Sequence, residues 1–155
     1  MLSTRNILLD TTYLLPVFGI DVEVDSALAI RDALERLLKR GVRLHVSDLT
    51  PFEAFVKSFR VAEKLRDEEG KQAAKSGFTI LARADWLDKV DHKDDTVVEE
   101  AYRIRLDHND PFDCFIFATA KALSIPLVTE DQDASKFLGK ESTLTWKELK
   151  RSFRL

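Results

Sequence analysis

Short apolar runs alternate along this chain with longer stretches of helical period. Ile7, Leu8 and Leu9 form a run that closes on Asp10, the pattern of a strand buried on both faces. Ser26 precedes Leu28, Ile30, Ala33, Leu34, Leu37 and Leu38, which recur at three- and four-residue spacing, and Gly41 follows them. A helix is predicted between these two ends, with Ser26 as its cap and Gly41 in the left-handed conformation beyond it. Val42, Leu44 and Val46 alternate with Arg43 and His45 as far as Ser47, which predicts a second strand. Thr50 and Pro51 then open a long helix expected to run to about Glu69, before Gly70.

From Gly77 to Leu87 the chain places Phe78, Ile80, Leu81, Trp86 and Leu87 at helical spacing. The polar stretch Asp88 to Thr96 that follows predicts a loop or a short extended piece. Val97 to Leu106 and Pro111 to Leu123 read as helices, Ile125 to Thr129 as a strand, and a last helix starts near Thr145 and Trp146. Strands separated by helices pair in parallel through right-handed crossovers, with helices on both faces of the sheet. No repeat or linker interrupts the pattern, so one α/β domain spanning residues 1–155 is expected.

Composition narrows the chemistry. Of the 155 residues 45% are hydrophobic and 33% charged, enough for one packed core under a solvated surface. The formal charge of −3 argues against a broadly basic coat, so a polyanion has to be bound locally. Cys114 is the sole cysteine, which rules out an internal disulfide framework, and in the apolar run Phe112 to Ala118 it is expected to pack as a small hydrophobe. The opening residues carry Asp10 where a leader would be apolar, and no apolar run is long enough to span a membrane. A cytoplasmic protein is expected. The five glycines lack the spacing of a phosphate-cradling loop, and His45, His92 and His108 lack an acid or cysteine at ligand spacing. A zinc site would have to be assembled by the fold alone.

Four carboxylates occupy places that need explaining. Asp10 and Asp131 terminate apolar strands, and binding crevices of open parallel sheets form at those ends. Each also suits a turn. Glu53 and Asp113 stand three residues after Thr50 and Asp110, which are good helix caps, with Pro51 and Pro111 at the first helical position. Each could simply complete a helix start, as Glu148 does after Thr145 in the last helix. Taken together, the four acids can converge at one sheet edge. Clustered carboxylates repel unless a cation neutralises them, and oxygen-only ligation suits Mg²⁺ or Mn²⁺ in phosphate chemistry.

At this point the residues resemble a known family. Leu8, Leu9, Asp10, Thr11 and Thr12 resemble the first motif of PIN-domain ribonucleases, and Ser47 through Thr50 to Glu53 the second. Asp113 to Ala120 resembles the third, an Asp followed by apolar residues and an Ala-rich turn. Leu127, Val128, Thr129, Glu130, Asp131, Gln132 and Asp133 resemble the fourth, an apolar strand closing in Thr and two alternate Asp residues. The match covers nearly the whole chain and is similar in particular to the VapC-type toxins of prokaryotic toxin–antitoxin pairs. The sequence departs from the pattern at Thr12, where Asn or Ser is commoner, at the bulky Tyr13, and at Ala134 after the final Asp.

The resemblance implies a PIN-like three-layer α/β/α sandwich with a central, mainly parallel twisted sheet, in which the strands ending at Asp10 and Thr129 are neighbours. It implies Mg²⁺ or Mn²⁺ held by Asp10 and Asp113, with Glu53 and Asp131 contributing directly or through water. Asp133 is a fifth candidate that can equally cap the turn Ala134 to Leu138, and the hydroxyls of Thr11 and Thr129 are placed to orient carboxylates or water. The implied reaction is endoribonucleolytic hydrolysis leaving a 5′-phosphate and a 3′-hydroxyl. Implied partners are RNA, a second copy in a homodimer and a cognate antitoxin. For an RNA path, Lys57, Arg60 and Lys64 follow Glu53 on one helical stripe, opposite Phe52, Phe55, Val56, Phe59 and Ala62. The same stripe also reads as a solvated face with a Glu53–Lys57 pair. Lys147, Lys150, Arg151 and Arg154 form a second basic group. Two other roles fit the same fold: a non-catalytic RNA- or protein-binding module, and a housekeeping RNA-processing nuclease. An aspartyl-phosphate phosphatase would need an Asp at Thr12.

Overall fold

The computed structural model describes residues 5–155. The expectation about a leader falls partly on residues outside that range. Five strands, β1 (Asn6–Leu9), β2 (Arg43–Ser47), β3 (Leu87–Val90), β4 (Leu127–Val128) and β5 (Thr143–Leu144), form one sheet in the order β3-β2-β1-β4-β5. All four pairings are parallel, with Leu8 facing His45 on one side of β1 and Leu127 on the other. Successive residues of β1 point to opposite faces, so Ile7 and Leu9 enter one core and Leu8 the other. The first core is closed by α1 (Ala27–Lys39), α2 (Thr50–Lys64), α3 (Glu68–Arg83) and α7 (Trp146–Phe153), and the second by α4 (Asp95–Arg105), α5 (Pro111–Leu123) and α6 (Ala134–Leu138). The result is the expected α/β/α sandwich.

Several element boundaries differ from the sequence reading, each for a local reason. The helix expected from Thr50 to Glu69 ends at Lys64, because Arg66 turns left-handed (φ 53°) and Asp67 caps a new helix by accepting from Gly70 N at 2.9 Å. Gly70 and Gly77 therefore lie inside α3 rather than between elements. Gly77 is required there by close packing, since a Cβ would sit 2.5 Å from the Phe18 ring. Leu87 leaves the helical pattern and starts β3, and Asp94 caps α4, which begins two residues earlier than Val97. The strand expected over Ile125 to Thr129 shortens to Leu127–Val128, and β5 had no counterpart in the sequence reading. Two residues beside a β4 neighbour are too few to show a period.

Helix ends explain much of the rest. Ser26, Asp110 and Thr145 cap α1, α5 and α7 as expected, the last in a complete capping box with Glu148. Gly41 follows α1 with φ 77°. Thr50 does not cap: Leu49 holds the N-terminal position of α2 without a side-chain bond, and the Thr50 hydroxyl is buried without a hydrogen-bond partner. Two 3₁₀ turns, Thr11–Tyr13 and Leu15–Phe18, lead out of β1. Tyr13 is fully buried, stacks on Trp146 at 5.1 Å and donates its hydroxyl to Glu130 at 3.0 Å. The bulk that sets Tyr13 apart in the sequence thus locks β1 to α7, and burial raises its phenol far above the usual range.

Candidate active site

Chain order places the site. After β3 the chain crosses to the other side of β1, so the strand order reverses between β1 and β4, and crevices form outside the carboxyl ends of strands at such a point. Asp10 follows β1 there, with its backbone N–H donated to Val128 at 3.1 Å. Its carboxylate accepts from Thr11 N at 2.6 Å and from the Thr129 hydroxyl at 2.7 Å. The strand-end hydroxyl of Thr129 therefore bridges the two motifs, and it also accepts from Asp131 N at 3.0 Å.

Glu53 enters from α2. It is 4% exposed, accepts a short hydrogen bond from the Thr11 hydroxyl, and pairs with Lys57 Nζ at 2.6 Å. Asp113, three residues past the Asp110 cap of α5, lies 3.0 Å from His108 Nε2. Ligand atoms of His108, Asp113 and Asp131 lie within 4.8 Å of one another. His108 is held by ring contacts with Phe117 and Phe137 at 5.6 and 5.7 Å. The pocket thus has two halves, Asp10–Thr11–Glu53–Lys57 and His108–Asp113–Asp131.

The halves are electrostatically coupled. Burial pushes the Asp10 carboxyl up to about 6, against its bonds from Thr129 and Thr11, and the Glu53 and Asp113 charges add to the rise. Burial likewise raises Asp113, opposed by His108 and reinforced by Asp110, Asp131 and Glu53. Lys57 loses solvation, but Glu53, Asp10 and Asp113 together hold its ammonium above the usual value. Crowded, desolvated carboxylates are the environment a hard divalent cation relieves. The donor set fits such an ion: three Asp, one Glu and one imidazole.

The other sequence candidates fall outside this grouping. Asp133 accepts from Lys136 in a short ion pair and makes no capping bond to α6; its backbone N–H is donated to Asp131 at 2.8 Å. Arg60 and Lys64 are exposed and, among the described residues, make no ion pair. The apolar stripe opposite them is incomplete, since Phe52 is 47% exposed while Glu53 is buried. Cys114 is buried, and desolvation raises its thiol, as suits a packing residue.

The expectation that the histidines lack acids is corrected, for His92 already stands next to Asp91 in the chain, and His45, His92 and His108 all meet acids in the fold. His108 meets Asp113 and Asp131, and His92 lies 2.9 Å from Asp48, which also accepts from His92 N at 3.0 Å. Asp48 and His92 tie the end of β2 to the end of β3. His108 was legible only as a histidine five residues before a helix-start acid; its approach to Asp131 depends on β4 lying beside β1.

A parallel α/β/α domain with a carboxylate pocket at its strand-order reversal defines the class. A family model, the PIN domain, matches residues 7–139. The chain belongs to the PIN domain family. Among solved structures it is similar to a toxin–antitoxin complex from Klebsiella pneumoniae, with 18% identity and a TM-score of 0.53 over 90% of this chain and 96% of that one. It is also similar to VapC20 of Mycobacterium tuberculosis, a sarcin-ricin loop cleaving toxin, with 15% identity and a TM-score of 0.60 over 84% of this chain and 93% of that one. At these identities the likeness speaks to fold. No curated protein gives a significant match.

Proposed function

We propose that the protein is a Mg²⁺- or Mn²⁺-dependent endoribonuclease acting as the toxin of a type II toxin–antitoxin pair. The observation that carries this reading is the convergence of Asp10, Glu53, Asp113 and Asp131, from four separate elements, with the Asp10 and Asp113 carboxyls pushed up by burial and by neighbouring acids of the group. Asp10, Asp113 and Asp131 would hold the ion, with Glu53 beside them. Bound there, a divalent cation lowers the pKa of water, polarises the scissile phosphate and stabilises charge on the departing oxygen. The protein's own groups orient the carboxylates. Thr129 fixes one oxygen of Asp10, Thr11 fixes Glu53, and His108 fixes Asp113. Lys57 neutralises Glu53 and faces the same charge, so it is placed to meet a phosphate.

Support for the toxin role comes from family membership and from the two toxin structures of the same fold. A homodimer and an antitoxin are assigned as partners in the cytoplasm. Val98 and Tyr102, 45% and 63% exposed, line one groove with Ala101, Pro111 and Phe115 between α4 and α5, an apolar patch that supports a protein partner.

The test is cleavage of a panel of structured RNAs with Mg²⁺ or Mn²⁺, comparing wild type with Asp10→Asn and Asp113→Asn. Cleavage that needs the ion, is lost in both variants and leaves 5′-phosphate ends is expected, with circular dichroism unchanged. Equal cleavage by the variants removes the proposal.

A further inference from the structure

A wide cleft opens directly from the acidic pocket, sharing Thr129 and Asp131 with it. It measures about 880 Å³, within the range of ligand-binding clefts, and lies between α6 with the turn Lys140–Ser142 on one side and α7 on the other. Lys140 and Arg151 both line it, and among the described residues neither lies within ion-pair distance of an acid. Both are near enough to Glu148 to help hold its carboxyl down, behind the larger effect of its bonds from Thr145. The two cations therefore stand over one region of the cleft.

The acids that share this cleft are largely spent on the fold. Glu130 accepts from the Tyr13 hydroxyl at 3.0 Å and from Trp146 N at 2.7 Å, and Glu148 closes the capping box of α7. Lys136 is held by Asp133. What remains is Lys140 and Arg151 as donors to an anion, with Gln132 and Glu141 as groups that can read a base edge. Glu141 is folded back over Gly139, whose φ of 84° and missing Cβ leave room for its carboxylate. An anion beside a hydrogen-bonding edge is the chemistry of a nucleotide, and unpaired RNA is read in that way.

Resting on the nuclease reading, we propose that this cleft is a nucleotide subsite for the RNA strand flanking the scissile phosphate. Lys140 and Arg151 take the flanking phosphate, and Gln132 and Glu141 select the base.

The experiment measures binding of a short fluorescein-labelled single-stranded RNA by anisotropy, in Mg²⁺ and across a salt series, with Asp10→Asn as the non-cleaving parent. Adding Lys140→Ala and Arg151→Ala is expected to weaken binding about tenfold or more and to flatten the slope of log affinity on log salt by about 0.7 for each phosphate no longer neutralised. Lys75→Ala with Arg83→Ala, on α3, which leads into β3 at the opposite edge of the sheet from β5, is the charge-matched control and should change neither. In the cleaving protein, Glu141→Gln should alter the nucleotide preference next to the cut. Tight binding by the parent with an unchanged slope in the cleft variant, or an equal loss in the control, overturns the subsite and leaves the nuclease reading standing. No RNA binding by the parent overturns both.

Discussion

Asp10 joins the electrostatics of the pocket to the stability of the protein. An acid whose folded pKa is about 6, against 3.8 when solvated, binds its proton more tightly in the folded state. Between those values the metal-free fold therefore loses stability as pH rises, and above pH 6 the cost is complete, at about 2–3 kcal/mol. Asp10→Asn should raise the melting temperature of the metal-free protein by several degrees at pH 7.5, and the difference should vanish below pH 4, as calorimetry across the range would show. A variant no more stable than wild type at pH 7.5 would contradict the burial. His108→Ala should leave the fold intact but lower cleavage about 10–100-fold and raise the ion concentration needed for half-maximal rate, because Asp113 loses its partner at 3.0 Å. At this scale the acids were visible in the sequence. Thr11 and Thr129 were visible too, as hydroxyls placed to orient carboxylates; which acid each meets was not, since Thr11 reaches Glu53 across 42 residues and Thr129 reaches Asp10 across 119.

Elements supply the positions that these side chains exploit. The Asp110 cap and Pro111 start α5 so that Asp113 falls in its first turn, a placement legible because caps act within three or four residues. Thr145 does the same for α7, and through Trp146 that helix grips Tyr13 and Glu130. Thr145→Ala should cost about 1 kcal/mol in urea unfolding, with no change in the unfolding slope. Gly77→Ala should cost more, about 1–3 kcal/mol, even though alanine is the better helix former, because the new Cβ meets the buried Phe18 ring. A stabilised Gly77→Ala protein would show that α3 does not lie this close to the turn Leu15–Phe18. Short strands and the break between α2 and α3 escaped the periodic reading because tertiary contacts make them. β5 needs β4 beside it, and Arg66 turns left-handed to let α3 fold back onto α2.

At the scale of the whole molecule, the pocket makes folding and ion binding one equilibrium. A divalent cation at about a hundredfold excess over its dissociation constant should stabilise the native protein by about 2.7 kcal/mol, a gain that chelation removes and Asp10→Asn largely abolishes. Differential scanning fluorimetry with Mg²⁺, Mn²⁺ and EDTA reads this without any RNA. An ion effect of equal size in Asp10→Asn would place the cation elsewhere. The sequence by itself determined the alternation of strands and helices, the parallel class of the sheet and the four acids at element ends, because hydrophobic period and caps are local properties of the chain. It also carried the PIN motifs in order, which the family match over residues 7–139 bears out. Tertiary structure alone decided that β5 closes the sheet beyond β4, that His108 joins Asp113 and Asp131, and that Lys140 and Arg151 face one cleft. These depend on the order in which strands meet across the sheet, and that order is set by the fit of two whole cores against each other, which no window of neighbouring residues contains.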